Sequence, residues 1–268
     1  MVSSCGALLI DAGFDIVRVI TEDPHVETWA SAHNISSQPY HKQLVEELSS
    51  LDFDYLFSVV NFHILPKALL GLAGKVNINY HDGPLPRYAG RYAPSWALSE
   101  GETDYSVCWH VIEPEIDVGD ILESESITID DNDTSFTLNA KCHYAGIDAF
   151  SRLIKALLVD QCTPTKQALD ARSYYSLAKQ PMAAGILDLT KPAADLERLC
   201  RAYDFGSVSC PWGHVKLLVK TQTGSIDTLV VNSVPCLALR QGKPGEILEL
   251  SGNKLVVAVG EDSLIFEQ

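Results

Sequence analysis

The chain reads as an α/β protein, with a doubly wound, Rossmann-like sheet that lacks its first strand, followed by a small C-terminal β-barrel of the OB type. Three observations predict this. Strand-like apolar runs alternate with amphipathic helical runs over the first 165 residues. The periodicity then weakens over 166–185. Beyond it stand one short helix and several short strands broken by Gly and Pro. The expected organisation is therefore 1–165 as the first domain, 166–185 as a linker and 186–268 as the barrel.

The elements follow in order. "SSCGALLIDAGF" (3–14) predicts a helix capped by Ser3 or Ser4 and stopped by Gly13. "DIVRVIT" (15–21) predicts a strand. Two helices are expected over 26–34 and 41–51, and a buried strand over "DYLFSVVN" (54–61). "LPKALLGLA" (65–73) predicts a helix that tolerates Pro66 in its first turn. "KVNINY" (75–80) is another buried strand, and 93–101 a further helix. The runs 104–112 and 120–129 alternate like a hairpin or meander, and 135–158 is one long amphipathic helix. In the C-terminal part a helix is expected over 193–203, with strands over 214–220, 227–233, 245–250, 254–259 and 263–267. A doubly wound sheet normally opens on a central strand. This sequence opens on the helix that would follow one.

Composition narrows the function classes. The formal net charge of −15 falls within residues 1–164, which hold 9 Lys+Arg and 24 Asp+Glu, while residues 165–268 hold 11 of each. Neither part offers the basic face of a nucleic-acid binder, so nucleic acid is not expected as a partner. Seven scattered cysteines, none at C-x-x-C spacing, predict reduced thiols and a cytoplasmic protein. No signal-peptide pattern and no apolar run of membrane-spanning length is present, so no membrane is expected.

Familiar motifs are missing: G-x-G-x-x-G, a P-loop and G-x-S-x-G do not occur. His63, His81, His110 and His143 lack two-ligand helical spacing, so no metal is expected. What remains is the segment "VNINYHDGPLPRYAG" (76–90). Asn79 and His81 sit at the carboxyl end of a predicted strand, where open α/β sheets bind ligands. Being two apart, they project to the same side if the strand reaches that far. Asp117 lies in a polar loop between two predicted strands. An amide, an imidazole and a carboxylate suit direct acyl transfer to an amine. The first two can bind an oxyanion, and the carboxylate can orient the imidazole and accept a proton. The same residues also read as a turn cap and a packed loop histidine. His110 reads as packed, Trp96 and Trp109 as core, and Arg91 as a loop charge or an anion contact.

The order N-x-H, then L-P, then D-x-G-D resembles the 10-formyltetrahydrofolate-dependent formyltransferases, which include methionyl-tRNA, glycinamide ribonucleotide and sugar N-formyltransferases. "VVNFHILPKALL" is similar to the family's folate-side segment, and "RAYDFGSVSCPW" and "GKPGEILELSGNKLVVAVGEDSLIF" to the second domain of the methionyl-tRNA type. The resemblance implies Asn79, His81 and Asp117 as catalytic residues and 10-formyltetrahydrofolate as co-substrate. It implies Phe62, Ile64 and Leu65 beside the pterin, with backbone near Glu115, Ile116 and Asp117 reading its polar edge.

The wording "HDGPLPRYAGRYAPSWAL" is most similar to formyltransferase domains of nonribosomal peptide or mixed assembly lines. It implies an aminoacyl unit on a carrier protein as acceptor. An amino sugar, a hydroxyornithine, or a catalytically silent docking module are the other readings.

Overall fold

The structure is a computed structural model that describes residues 1–220 and 223–267. In chain order its elements begin with α1 (Val2–Asp11), β1 (Val19–Ile20), α2 (Pro24–Ala32), β2 (Ser37–Gln38) and α3 (Leu44–Leu48). They continue with β3 (Tyr55–Ser58), α4 (Lys67–Leu70), β4 (Val76–His81), β5 (Ala89–Gly90), α5 (Ala93–Glu100), β6 (Asp104–Val111), β7 (Ile121–Thr128) and α6 (Ser135–Leu158). After a 3-10 turn at Leu169–Ala171 come β8 (Tyr174–Tyr175), one distorted turn α7 (Met182–Gly185) and α8 (Ala193–Tyr203). The remaining strands are β9 (Val215–Lys220), β10 (Ile226–Val231), β11 (Cys236–Ala238), β12 (Ile247–Ser251), β13 (Lys254–Val259) and β14 (Asp262–Glu267).

The chain divides into two compact units. The first comprises Met1–Ala89, Ser106–Ile127 and Lys141–Tyr174; the second comprises Gly90–Tyr105, Thr128–Ala140 and Tyr175–Gln268.

The first unit holds a sheet of order β3-β4-β6-β7 and a separate pair β1-β2. β3 and β4 run parallel, whereas β4 and β6 are antiparallel. Strand alternation splits the sheet's two faces. Phe57 meets Phe150 of α6 edge-on at 5.3 Å, and the Tyr80 hydroxyl donates to the Cys142 carbonyl at 2.7 Å. On the other face Leu56 packs with Leu44, Leu48 and Leu69. Helices thus cover both sides, as doubly wound packing requires.

α6 is fixed by sequence. Cys142, Ala145, Ala149, Phe150, Leu153 and Ile154 recur at helical spacing, and all are buried. Each large apolar side chain of that set contributes about 1.5–3 kcal/mol on burial. α6 comes close enough to β4 only because Gly146 has no side chain: a Cβ there would stand 2.4 Å from the Tyr80 ring.

Three expectations for this unit are corrected. α1 starts at Val2 behind Met1, with no side-chain cap, so Ser3 and Ser4 lie inside the helix. The strand expected over 15–21 reduces to Val19–Ile20, because only β2 pairs with it and its other edge has no neighbour among the described residues. The strand expected over 54–61 stops at Ser58. Val60 has φ +51, a left-handed conformation costly for a β-branched residue, and the Asn61 side chain turns the chain by bonding His63.

In the second unit α5 is buried all round, from Ala93 to Leu98. Trp96 stacks on Tyr175 at 4.4 Å and meets Trp212 at 5.3 Å, with Tyr92 and Tyr203 also against Trp212. α8 packs beside α5, burying Leu196, Leu199 and Cys200. Arg201 of α8 bonds Glu197 at 2.8 Å and the Asp133 carbonyl at 2.9 Å. The C-terminal strands form an antiparallel sheet of order β11-β14-β13-β12 and a hairpin β9-β10. A small β region is therefore present, but the described residues show two sheets with no pairing that closes them into a barrel. No helix among the described residues is long and apolar enough to cross a membrane.

Candidate active site

Asn79 and His81 close β4, which does extend to His81, so the two side chains share a face. Their neighbours come from β6, in a fixed register: Asn79 pairs with His110 and His81 with Cys108. That register sets the Asn79 Nδ2 3.1 Å from His110 Nε2. The other Asn79 N–H donates to the Tyr80 carbonyl at 2.9 Å.

Asp117 reaches this pair from the loop between β6 and β7. Its Oδ2 stands 3.6 Å from His81 Nδ1, and its Oδ1 stands 3.5 Å from His110 Nε2. One carboxylate therefore faces two imidazoles. All three groups are shielded from water, His81 at 5%, His110 at 2% and Asp117 at 11% exposure. His81 Nε2 faces the Tyr88 carbonyl at 2.9 Å, so it donates there. Both ring nitrogens of His81 then look at acceptors. His110 Nδ1 donates to the Val111 carbonyl at 2.8 Å, leaving Nε2 to accept from Asn79.

The Asp117 loop has a tight shape. Asp117 itself takes φ +55, which a short polar side chain tolerates. Two residues on, Gly119 lies flat against the strand: a Cβ there would fall 1.9 Å from the Val111 carbonyl oxygen. That oxygen is the one His110 donates to. The glycine of D-x-G-D is required by this close approach.

A strap holds the arrangement from behind. Thr165 and Ile121 exchange backbone hydrogen bonds at 2.8 Å. The Gln167 amide donates to the carbonyls of Asp117 at 3.1 Å and Gly119 at 2.6 Å. Arg172 donates to the Ile116 carbonyl at 2.9 Å. Ser173 accepts from Tyr88 through its hydroxyl at 2.8 Å and from Ala89 through its carbonyl at 3.0 Å. The start of the weakly periodic stretch 166–185 is therefore part of the site's support.

Of the residues singled out for a donor, Leu65 packs on the Leu44, Leu48 and Leu69 cluster. Phe62 and Ile64 are exposed at 67% and 75%. Phe62 and Leu65 border a cavity of about 1110 Å³ that Ile64 does not line. Glu115 is exposed and stands 3.9 Å from Arg172, and Ile116 is exposed at 38%. His63 stacks on Tyr40 at 4.3 Å. Trp96 and Trp109 are core, as expected, and Arg91 belongs to the second unit. The reading of His110 as packed is incomplete, since it is buried yet faces both Asn79 and Asp117. No cluster of His, Cys, Asp and Glu suited to a metal occurs among the described residues.

Comparison with known proteins gives the family and the fold. The formyl transferase family model matches residues 11–154, more than half of the 268 residues. The methionyl-tRNA formyltransferase of Lachnospira eligens is 25% identical over 97% of this chain and 85% of its own length. An N-formyltransferase from Helicobacter canadensis, solved with folinic acid and dTDP-3-aminofucose, shares the fold with a TM-score of 0.71 at 18% identity, over 99% of this chain and 94% of that one. HypX from Aquifex aeolicus, solved with tetrahydrofolic acid, gives a TM-score of 0.65 at 14% identity, over 93% of this chain and 43% of its own.

Proposed function

We propose, for a chain that belongs to the formyl transferase family, that it carries a formyl group from 10-formyltetrahydrofolate to a primary amine. The observation that carries this reading is the convergence of Asn79, His81 and Asp117, from positions far apart in the sequence, on one water-shielded point of the first unit. Folate as donor is supported by relatives solved with folinic or tetrahydrofolic acid.

In this reading the neutral amine attacks the formyl carbon and an oxyanion develops. Asn79 turns one N–H from His110 towards that oxygen, and charged His81 lies beside it. Asp117 keeps His81 charged and oriented and takes up the proton the amine loses. The bond from the formyl carbon to N10 breaks, and N10 leaves with the proton that Asp117 took up, which restores the carboxylate. Phe62, Ile64 and Leu65 flank the pterin, and the backbone of Glu115, Ile116 and Asp117 reads its edge.

The acceptor we propose is the amino group of an aminoacyl unit on a carrier protein, in nonribosomal peptide biosynthesis. Its support is the wording of residues 81–98. A carrier tethered nearby needs no electrostatic steering, which suits an acidic first part. A nucleotide-linked amino sugar is the second reading. It is favoured by the match to the Helicobacter canadensis structure over nearly the full length of both chains. Seven free cysteines support a cytoplasmic setting.

The test offers 10-formyltetrahydrofolate with carrier-bound aminoacyl units, amino sugars and hydroxyornithine in parallel, read by mass spectrometry for the formylated acceptor. Asn79→Ala, His81→Ala and Asp117→Asn should each lower turnover by about 10²–10³-fold or more while leaving the melting temperature near that of the parent. Parental rates in all three variants remove the mechanism. Absence of binding to a stable folate analogue by calorimetry makes the chain a docking module instead.

A further inference from the structure

The His81 ring is engaged at both ends. Its Nδ1 faces Asp117 Oδ2 at 3.6 Å, and its Nε2 faces the Tyr88 carbonyl at 2.9 Å. A backbone carbonyl only accepts, so the Tyr88 oxygen calls for a proton on Nε2. A neutral imidazole has one proton for two nitrogens, and the bond that one nitrogen makes decides what the other carries. The acceptor on the Nε2 side therefore bears on what happens between Nδ1 and Asp117.

That acceptor is itself held in place. Tyr88 is buried and takes φ +59, a left-handed conformation uncommon for a bulky side chain. The peptide plane between Tyr88 and Ala89 is rigid, and its carbonyl and N–H point opposite ways. The carbonyl faces His81, while the Ala89 N–H donates to the Ser173 carbonyl at 3.0 Å. One peptide earlier, the Tyr88 N–H donates to the Ser173 hydroxyl at 2.8 Å. Ser173 thus grips the chain on both sides of the Tyr88 Cα. Gln167, in the same segment, donates to the carbonyls of Asp117 and Gly119. One stretch of chain therefore supports the acceptors at both ends of the ring.

We propose that Ser173 and the Tyr88 carbonyl are positioning groups that anchor a proton on His81 Nε2, leaving Nδ1 as the nitrogen that works with Asp117. This role rests on the formyl-transfer reading and sharpens it. A charged ring has its Nε2–H tied to Tyr88 and its Nδ1–H turned to Asp117. It then acts on the oxyanion through its charge, and Asn79 supplies the N–H that bonds that oxygen. Ser173 touches no substrate in this scheme; it acts through Tyr88. The other groups around the ring are Asp117, His110 with its ring centroid 6.4 Å away, and Asp82, and a substitution at Ser173 leaves all three in the chain.

The test is nitrogen NMR of the full chain with ¹⁵N-labelled histidine, which separates protonated from bare ring nitrogens, with His81→Asn to identify the His81 signals. Spectra are taken without donor or acceptor at about pH 8, where an ordinary imidazole is mostly neutral and has one proton for two acceptors. The parent should show a protonated Nε2. Ser173→Ala removes one hydroxyl from a half-buried residue, and the fraction of bare Nε2 should rise about fivefold, the worth of one ordinary hydrogen bond. Ser173→Thr keeps the hydroxyl and should restore the parental spectrum. Turnover of folded Ser173→Ala should fall about fivefold with the donor KM little changed, and Ser173→Thr should stay within about twofold of the parent. Should Ser173→Ala not fold, Ser173→Cys, whose thiol is a weaker acceptor, takes its place. A bare Nε2 in the parent, equal Nε2 protonation in parent and variant, or no recovery in Ser173→Thr overturns the proposal. The spectra need no substrate, so a chain with the expected spectra and no formyl transfer keeps the anchored proton and loses the functional reading alone.

Discussion

Gln167 donates from its side-chain amide to the main-chain carbonyl of Asp117 at 3.1 Å, across 50 residues of sequence. It donates again to the Gly119 carbonyl, while its own Oε1 is buried with no hydrogen-bond partner among the described residues. A stranded oxygen costs about 1–3 kcal/mol, so the amide is held in place by the two bonds it gives. Those bonds fix the backbone of Asp117 at φ +55. In Gln167→Ala the loop should loosen and the carboxylate should drift from His81. Turnover should fall roughly tenfold with the donor KM little changed, corresponding to about 1.4 kcal/mol at the transition state. A residue that only stabilised the fold would lower the melting temperature and leave the turnover of the folded fraction intact.

Gly119→Ala tests the contact on the other side of the same loop. The added methyl would meet the Val111 carbonyl at 1.9 Å, so backbone must move. The loss should be on the order of 2 kcal/mol or more, a drop of several degrees in melting temperature for a chain of this size. Activity should fall further than stability explains, because His110 shares that carbonyl. Gly74→Ala is the matched control, since a Cβ there would sit at an ordinary 3.5 Å from the Phe53 carbonyl. Equal effects of the two substitutions would mean that the contact at Gly119 is unimportant.

What the sequence reveals is what local patterns encode. α6 over Ser135–Leu158 and α8 over Ala193–Tyr203 lie where apolar periodicity places them. Asn79 and His81 were legible because strand alternation and a following Gly-Pro turn are local. His110 was not, because only the antiparallel register of β4 on β6 sets it opposite Asn79, and register is a tertiary fact. Gln167 and Ser173 were hidden for the same reason: their partners are carbonyls and amides far away in the chain. The strand expected over 15–21 carries the right residues, yet only Val19–Ile20 forms, since a strand needs a neighbour on its edge. The small β region was visible from its short strands, while their arrangement as a four-stranded sheet and a hairpin depends on pairings that short strands do not specify.

Asp82 follows His81 at the end of β4, and burial pushes its carboxyl above the usual carboxylate range. His81 and His143 pull the other way, and Asp117 adds to the rise. A carboxyl raised in the folded state holds its proton more tightly there than in the unfolded chain. The stability it contributes is therefore fully present below the unfolded value of about 3.9 and is lost as pH rises through the folded value. His143 behaves oppositely. Burial lowers it, so its contribution is present above about 6.5 and is lost on acidification. Asp82→Asn removes the first effect and keeps His143. The difference in melting temperature, variant minus parent, should thus grow more positive between about pH 4 and pH 7. Thermal melts across that range measure it directly. A difference that stays flat would mean that ionised Asp82 carries no burial penalty, and that the turn after His81 is better solvated than its packing implies.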